Sequence, residues 1–382
     1  MTSHHDDLSP DVIAAALDRV RRPLTEGEHL PGVFYSSPAV LRREMERVFR
    51  RDWLCVGRVE EVARAGDYLA TRVAGEPILV TRDDTGDLNA FANLCRHRGV
   101  QVVEDGCGNT RRLTCPYHGW AYDLKGCLVG APMMEEASGF DRRNVGLREL
   151  RLDTWAGWIF VNLDDQAMAL EEFVAPFERD LGFLQMNRCR LGNKMVSTWN
   201  CNWKLVTENL CDPYHFRALH AKTFGPRIPV ESYKFEMRER GGSYAFYDAA
   251  PQTPDGDAPL GPMPWLSNYS KGMSVFGFLA PNMALVGRID EFHIYTVWPE
   301  AVDRTRVVLH HLFAAEQTER PDFRERARVY TDFMARVVEE DASVAPYLQQ
   351  AVNSAYYRPG RMSWLEHAVQ HQMRYAIERN FG

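Results

Sequence analysis

"CRHRGVQVVEDGCGNTRRLTCPYHGW", residues 95–120, places Cys95-x-His97 seventeen residues ahead of Cys115-x-x-His118. Each half offers one thiol and one imidazole. These ligands suit zinc, copper or iron–sulfur chemistry, so ligand type alone leaves the metal open. Cys107 lies between the halves with no histidine at either loop's spacing, and the set of four is complete without it. It reads as a structural residue.

The order of the ligands narrows the choice. Zinc fingers usually group their cysteines and their histidines separately, and structural zinc is the bland alternative here. One of each per loop lets two cysteines bind one iron and two histidines the other, as in a Rieske [2Fe–2S] centre. Two neutral imidazoles in place of two thiolates raise the reduction potential of such a cluster. Cys95-x-His97-Arg98-Gly99 and Cys115-Pro116-Tyr117-His118-Gly119-Trp120 closely resemble the cluster loops of the Rieske non-haem iron ring-hydroxylating oxygenases, α-subunit type.

Outward from these loops, residues 66–163 read as short strands. "YLATRVAGEPILVTRDDTGDLNAFANLC" is strand, turn and strand, and "WAGWIFVNL" (155–163) is a buried strand. Upstream, 38–53 reads as an amphipathic helix. Downstream come a helix near 169–185, a strand near 194–200, strand-like runs over 231–248 and 272–314, and helices near 321–356 and 363–379. Between the strand runs, "AAPQTPDGDAPLGPMPW" (249–265) is too rich in proline and glycine for a regular element. A long loop of this kind is often a lid or pocket wall. The division expected is a helical segment 1–45, a cluster domain 46–165 and a catalytic domain 166–382.

"NWKLVTENLCDPYHFRALH" (202–220) holds a second constellation, Glu208-Asn209-x-x-Asp212-Pro213-Tyr214-His215-x4-His220. Five residues turn an ideal helix by about 140°. His215 and His220 therefore converge only if the helix ends or distorts, and Pro213 is placed to disturb it. Two histidines and one carboxylate with open positions form the ligand set of oxygen-activating non-haem iron. In "RVYTDFMARVVEEDASVAPYLQQ", the residues Tyr330, Met334, Val337, Asp341, Val344 and Leu348 fall on one helical stripe. Asp341 is its one charged member, while Glu339 and Glu340 point away. A carboxylate on an apolar face needs a metal or an ion pair.

The run "NWKLVTEN…D-x-x-H-x4-H" also resembles the mononuclear iron motif of the same family, whose third ligand comes from an acid in a late helix. The resemblance thus implies His215, His220 and Asp341 as iron ligands, with Glu340 in reserve. It implies that Asp212 bridges His215 and the second cluster histidine, His118, of a neighbouring subunit. A helix cap before Pro213 is the plainer role for Asp212, and the two do not conflict. The fold implied is α+β: an all-β Rieske domain inserted in a helix-grip catalytic domain of the START or Bet v 1-like kind, with an antiparallel sheet.

The activity implied is that of a terminal oxygenase component, which uses O2 to mono- or dioxygenate an aromatic or other small organic substrate. Electrons derived from NAD(P)H arrive through a separate ferredoxin or flavin reductase, since this sequence shows no Gly-x-Gly-x-x-Gly turn after a strand. An oxidative N- or O-demethylase or a betaine-type monooxygenase of the same family is the alternative. Residues 214–298 are dense in aromatics, among them Phe216, Phe224, Tyr233 and Phe276, which suit an aromatic guest, a quaternary ammonium or simply a core. Arg96, Arg98, Arg111 and Arg112 would suit an acidic carrier. A Rieske carrier without oxygenase activity would lack the second iron site, and a zinc-held binding module would be colourless.

The balance of 45 basic and 52 acidic residues, net −7, argues against a nucleic-acid binder. No apolar run approaches the length of a membrane span, and "MTSHHDDLSP" lacks the regions of a signal peptide, so the expected location is the cytoplasm. Length within the family suggests a homotrimer of α-chains. The cysteines outside the two ligand loops, at 55, 107, 127, 189, 201 and 211, read as small buried hydrophobes.

Overall fold

The computed structural model describes residues 8–382. It divides into Phe49–Phe173 and a larger unit formed by the residues through Val48 together with Val174–Gly382. The smaller unit is thus an insertion in chain order, and the N-terminal segment belongs to the larger one. Helix Pro10–Arg21 begins at Ser9, whose hydroxyl accepts from Val12 N, with proline at the first position. It docks on the last helix, His367–Phe381: Arg374 Nε donates to the Val20 carbonyl at 2.9 Å, and Arg21 pairs with Glu378 at 2.8 Å.

The smaller unit is built from β1 (Leu54–Arg58), β2 (Asp67–Val73), β3 (Glu76–Arg82), β4 (Leu88–Ala92), β5 (Gly106–Asn109), β6 (Leu113–Thr114), β7 (Ala121–Tyr122), β8 (Leu128–Gly130), β9 (Arg151–Trp155) and β10 (Trp158–Asn162). They pair as β1-β10-β9, β4-β3-β2-β5 and β6-β7-β8. Leu79, Phe91, Leu113, Tyr122 and Leu128 form a core that also encloses Cys95 and Cys115. Cys107 and Cys127 are exposed, contrary to their reading as buried hydrophobes; Cys55, Cys189, Cys201 and Cys211 are buried. Cys107 sits in β5, a short strand at the edge of its sheet beside β2.

The larger unit carries β11 (Cys189–Trp199), β12 (Lys234–Met237), β13 (Ser243–Asp248), β14 (Met273–Leu279), β15 (Met283–Arg288), β16 (Phe292–Ala301) and β17 (Arg304–Ala314). They form one antiparallel sheet in the order β11-β17-β16-β15-β14-β13-β12, with helix Phe323–Val352 packed against it. The stripe on that helix holds through Tyr330, Met334, Val337 and Asp341, all buried. It then passes to Ala345, Gln349 and Val352, leaving Val344 half-buried and Leu348 exposed. An ideal helix drifts about 20° per heptad against a strict seven-residue repeat, which accounts for the shift.

Helix 38–53 is shorter than the pattern suggests, ending at Glu44 and passing into a wider turn over Met45–Phe49. Glu44 is the reason this element matters. Its carboxylate takes Lys204 Nζ and Trp203 Nε1, each at 2.7 Å, with Glu44 and Lys204 nearly fully buried. Losing one partner of such a pair costs about 3–5 kcal/mol. The pair fixes helix Trp203–Leu210, which leads directly into the second constellation. Among the described residues no helix is long and apolar enough to cross a membrane.

Candidate metal centres

The two cysteine–histidine loops of the smaller unit adopt the same backbone solution. Gly99 N donates to Cys95 O at 2.8 Å and Gly119 N to Cys115 O at 3.1 Å; Cys95 N and Cys115 N donate to Val100 O and Trp120 O, both at 2.8 Å. Each turn closes on a glycine at positive φ, 73° and 70°, which a side chain would strain. Cys95 and Cys115 are buried, whereas His97 and His118 are exposed, with their Nδ1 atoms 3.1 Å apart. Trp120 stacks on His97 at 5.0 Å. Tyr122 Oη accepts from Arg96 N at 2.9 Å and lies 3.3 Å from Cys95 Sγ. Thiols inside, imidazoles outside and a hydroxyl on one sulfur fit a [2Fe–2S] cluster with one buried and one surface iron.

In the larger unit the chain breaks after Leu210, turns through Asp212-Pro213-Tyr214 and resumes as the short helix Phe216–Leu219. This break brings His215 Nε2 and His220 Nε2 to 3.2 Å, as their spacing requires. Asp341 Oδ1 lies 3.4 Å from the first and 3.1 Å from the second. Ligands at about 2.2 Å and right angles around one ion stand about 3.1 Å apart, so the three atoms have the spacing of one face of a coordination sphere. Burial works against the Asp341 carboxylate, yet His215 and His220 hold it below its ordinary value. Burial likewise lowers His215, and Asp212 and Asp341 outweigh it, raising His215 to about 9. A metal would displace the proton shared there.

The far nitrogens of both imidazoles face carboxylates. His215 Nδ1 lies 3.1 Å from Asp212 Oδ2, and His220 Nδ1 lies 2.7 Å from Glu340 Oε2, which also accepts from Thr223 Oγ1 at 2.7 Å. Such acids fix the tautomer and raise ligand basicity. Glu340, held in reserve as a ligand and read as pointing away, instead wraps behind His220. Asp212 does not cap the short helix, whose N-cap is His215; its Oδ1 accepts from Tyr214 N at 2.6 Å and holds the turn. Asn209, which carried no role in the sequence, donates to Asp341 Oδ1 at 3.2 Å and leaves its own Oδ1 buried and unpartnered.

The triad opens on a cavity walled by Phe216, Phe224, Tyr233, Tyr247, Phe276 and Tyr295. Gln252 joins this wall from the irregular loop 249–265. On the other side of the Asp212–His215 pair lies a second cavity, lined by His29, Tyr35, Glu208 and Glu366. There Tyr35 Oη donates to Glu208 at 2.8 Å, and burial pushes the Glu208 carboxyl up to about 7.

A second cluster of ligand types, Glu291, His293 and His311, behaves differently. Glu291 reaches His293 Nε2 at 2.7 Å and makes a short contact to His311 Nδ1. The first is a hydrogen-bond length, not a coordination edge. The far nitrogens, His293 Nδ1 and His311 Nε2, have no hydrogen-bond partner among the described residues. Glu291 thus ties two imidazoles together by hydrogen bonds inside the sheet.

Residues 186–379 match the ring hydroxylating alpha subunit (catalytic domain) family, and residues 52–150 match the Rieske [2Fe-2S] domain. The chain belongs to the family of ring-hydroxylating oxygenase α-subunits, with a Rieske cluster and a mononuclear iron as its cofactors. It is similar to the glycine betaine monooxygenase oxygenase subunit of Chromohalobacter salexigens, 36% identical over 58% of this chain and 50% of the relative. It is also similar to the anthranilate 1,2-dioxygenase large subunit of Burkholderia cepacia, 38% identical over 56% of this chain and 53% of that one. The aligned stretch thus spans about half the length of each of these relatives. A solved quaternary ammonium Rieske monooxygenase, described for carnitine oxidation and inter-subunit electron transfer, shares the fold with TM-score 0.80 at 23% identity, covering 95% of this chain and 96% of the other.

Proposed function

We propose that this chain is the terminal oxygenase component of a Rieske-type oxygenase that adds oxygen from O2 to an aromatic or other small organic substrate. The observation that carries this reading is the triangle of His215 Nε2, His220 Nε2 and Asp341 Oδ1, with sides of 3.1–3.4 Å, opening on a ring-lined cavity. Iron(II) held there supplies O2 activation, and the cluster at Cys95, His97, Cys115 and His118 supplies single electrons. The remaining work belongs to the chain. Asp212 and Glu340 keep the Nδ1 protons of His215 and His220, so that both Nε2 atoms stay free to bind. Asn209 orients Asp341. The apolar wall excludes water around the guest.

In this reading electrons come from a ferredoxin or flavin reductase, and the working form is a homotrimer in which Asp212 meets His118 of a neighbouring subunit. Two exposed aromatics support an interface at each centre: Tyr117, 55% exposed, beside His118, and Tyr214, 61% exposed, beside Asp212. Arg96, Arg98, Arg111 and Arg112 are exposed around the cluster loops and suit an acidic donor. The division at work is a cluster domain near 46–165 and a catalytic domain formed by 166–382 together with the N-terminal segment, operating in the cytoplasm. A quaternary-ammonium monooxygenase is the second reading, favoured by the tyrosine faces of Tyr233, Tyr247 and Tyr295 in the cavity wall. Oxygen uptake and product mass over a substrate panel, with a surrogate reductase, test the proposal. Coupled oxygen incorporation supports it, and none with a fully loaded enzyme counts against it.

A further inference from the structure

We propose that Arg288 is a specificity residue that receives the carboxylate of an acidic substrate in the ring-lined cavity. The proposal rests on the oxygenase reading for the chemistry, and on the geometry of one wall for the substrate class.

The wall is sheet. Directly paired residues of antiparallel strands point to the same face, as do residues two apart on one strand. Val286, Phe276 and Ala245 form one row across β15, β14 and β13; Arg288, Ser274 and Tyr247 form the next row. Val286, Phe276 and Tyr247 line the cavity, so Arg288 stands on the cavity face, one row further along. Its guanidinium carbon lies 5.7 Å from the Tyr247 ring centroid. Tyr233 stacks on Tyr247 at 4.2 Å, lies 6.2 Å from Phe216, and Phe216 lies 4.9 Å from His215. Arg288 is thus separated from the metal triad by three rings in succession.

The guanidinium is half used. Nη1 donates to Ser274 Oγ at 2.8 Å, to the Ala250 carbonyl at 2.9 Å and to the Ala249 carbonyl at 3.3 Å. Among the described residues Nε and Nη2 have no hydrogen-bond partner, although the residue is 2% exposed. Of the nearby acids, Glu291 is spent on His293 and His311, and Asp290 gives Oδ2 to Tyr330 Oη; Asp290 Oδ1 stays buried without a hydrogen bond, so this acid offers Arg288 its charge and no hydrogen bond. A buried guanidinium with two idle donors is costly, and an arriving anion relieves that cost. Nε and one Nη form the fork that matches a carboxylate in two parallel hydrogen bonds. Gln252, on the same cavity wall, also leaves Oε1 buried and unpartnered. Polar groups idle beside a cavity of rings describe a guest with one anionic end and an apolar or cationic body. An aromatic acid and a quaternary-ammonium acid share that chemistry.

The test is equilibrium dialysis with iron-loaded, cluster-intact protein against matched pairs. These are benzoate and benzamide, phenylacetate and phenylacetamide, and glycine betaine and choline. At least one acid should bind tenfold or more tightly than its partner, and the responding pair tells an aromatic acid from a zwitterion. Arg288→Gln should abolish the preference and Arg288→Lys should keep part of it, with iron content and cluster absorbance unchanged. Equal binding within every pair, no acid bound at all, or a preference that survives Arg288→Gln overturns the proposal. If Arg288→Gln does not fold, the wild-type pairs and Arg288→Lys still decide. Binding needs no turnover, so an acid preference without any product would count against the oxygenase reading and not against Arg288.

Discussion

Glu340 Oε2 lies 2.7 Å from His220 Nδ1, so the acid next in sequence to Asp341 backs the same histidine pair from the far side of His220. In the proposed site, two neighbouring carboxylates on one helix therefore divide the labour, Asp341 toward the metal and Glu340 on an imidazole proton. Glu340→Gln should keep the fold but weaken iron binding about 10–100-fold. An iron titration followed by ferrous chelation reads this directly. Unchanged affinity would mean that Glu340 serves only Thr223.

Tyr122 should tune the cluster. Its hydroxyl lies 3.3 Å from Cys95 Sγ, and a hydrogen bond to a ligand sulfur stabilises the more negative, reduced cluster. Tyr122→Phe should lower the reduction potential without loss of cluster iron, and His97→Cys should lower it as well by restoring thiolate charge. Spectroelectrochemistry would show a potential unchanged in Tyr122→Phe if the contact carries no such bond.

Glu208 should make stability depend on pH. Burial raises its carboxyl from 4.5 to about 7 in the folded chain. The folded state therefore keeps a proton that the unfolded state has released. That contribution is complete below about pH 4.5 and is lost as pH rises through 7. Glu208→Gln keeps an acceptor for Tyr35 and removes the dependence. Its stability relative to wild type should rise across this window by about 3 kcal/mol. Parallel melting curves for the two proteins at all pH values would contradict the assignment.

Asp212→Asn should weaken iron binding as Glu340→Gln does, and yet, with both metal sites filled at saturating iron, it should nearly abolish turnover. The change keeps the shape but replaces an acceptor oxygen by a donor amide. Rapid mixing of cluster-reduced protein with O2 and substrate should then show no prompt reoxidation of the cluster. Near-normal reoxidation would reduce Asp212 to the turn it makes with Tyr214 N.

Much of the site was legible because its residues combine rare chemistry with fixed spacing. Cys95, His97, Cys115 and His118 need only short turns to converge, and His215 and His220 announce a broken helix by their separation. Asp341 showed itself as a charge on an apolar stripe. Glu340 did not, because periodicity says which way a residue leaves its helix and not what a second element places there. The docking of the helix that ends at Glu44 was hidden for the same reason: Glu44 finds Lys204 160 residues away. Arg288 was invisible until the strand register put it in a row with Ser274 and Tyr247.

The central claim is that His215, His220 and Asp341 hold an iron distinct from the cluster. Iron per chain, measured beside the visible cluster spectrum in wild type and Asp341→Ala, tests it most directly. Wild type should carry about three irons per chain, and Asp341→Ala about two, with the cluster spectrum intact and turnover gone. About three irons retained in Asp341→Ala, or only two in fully loaded wild type, would contradict it.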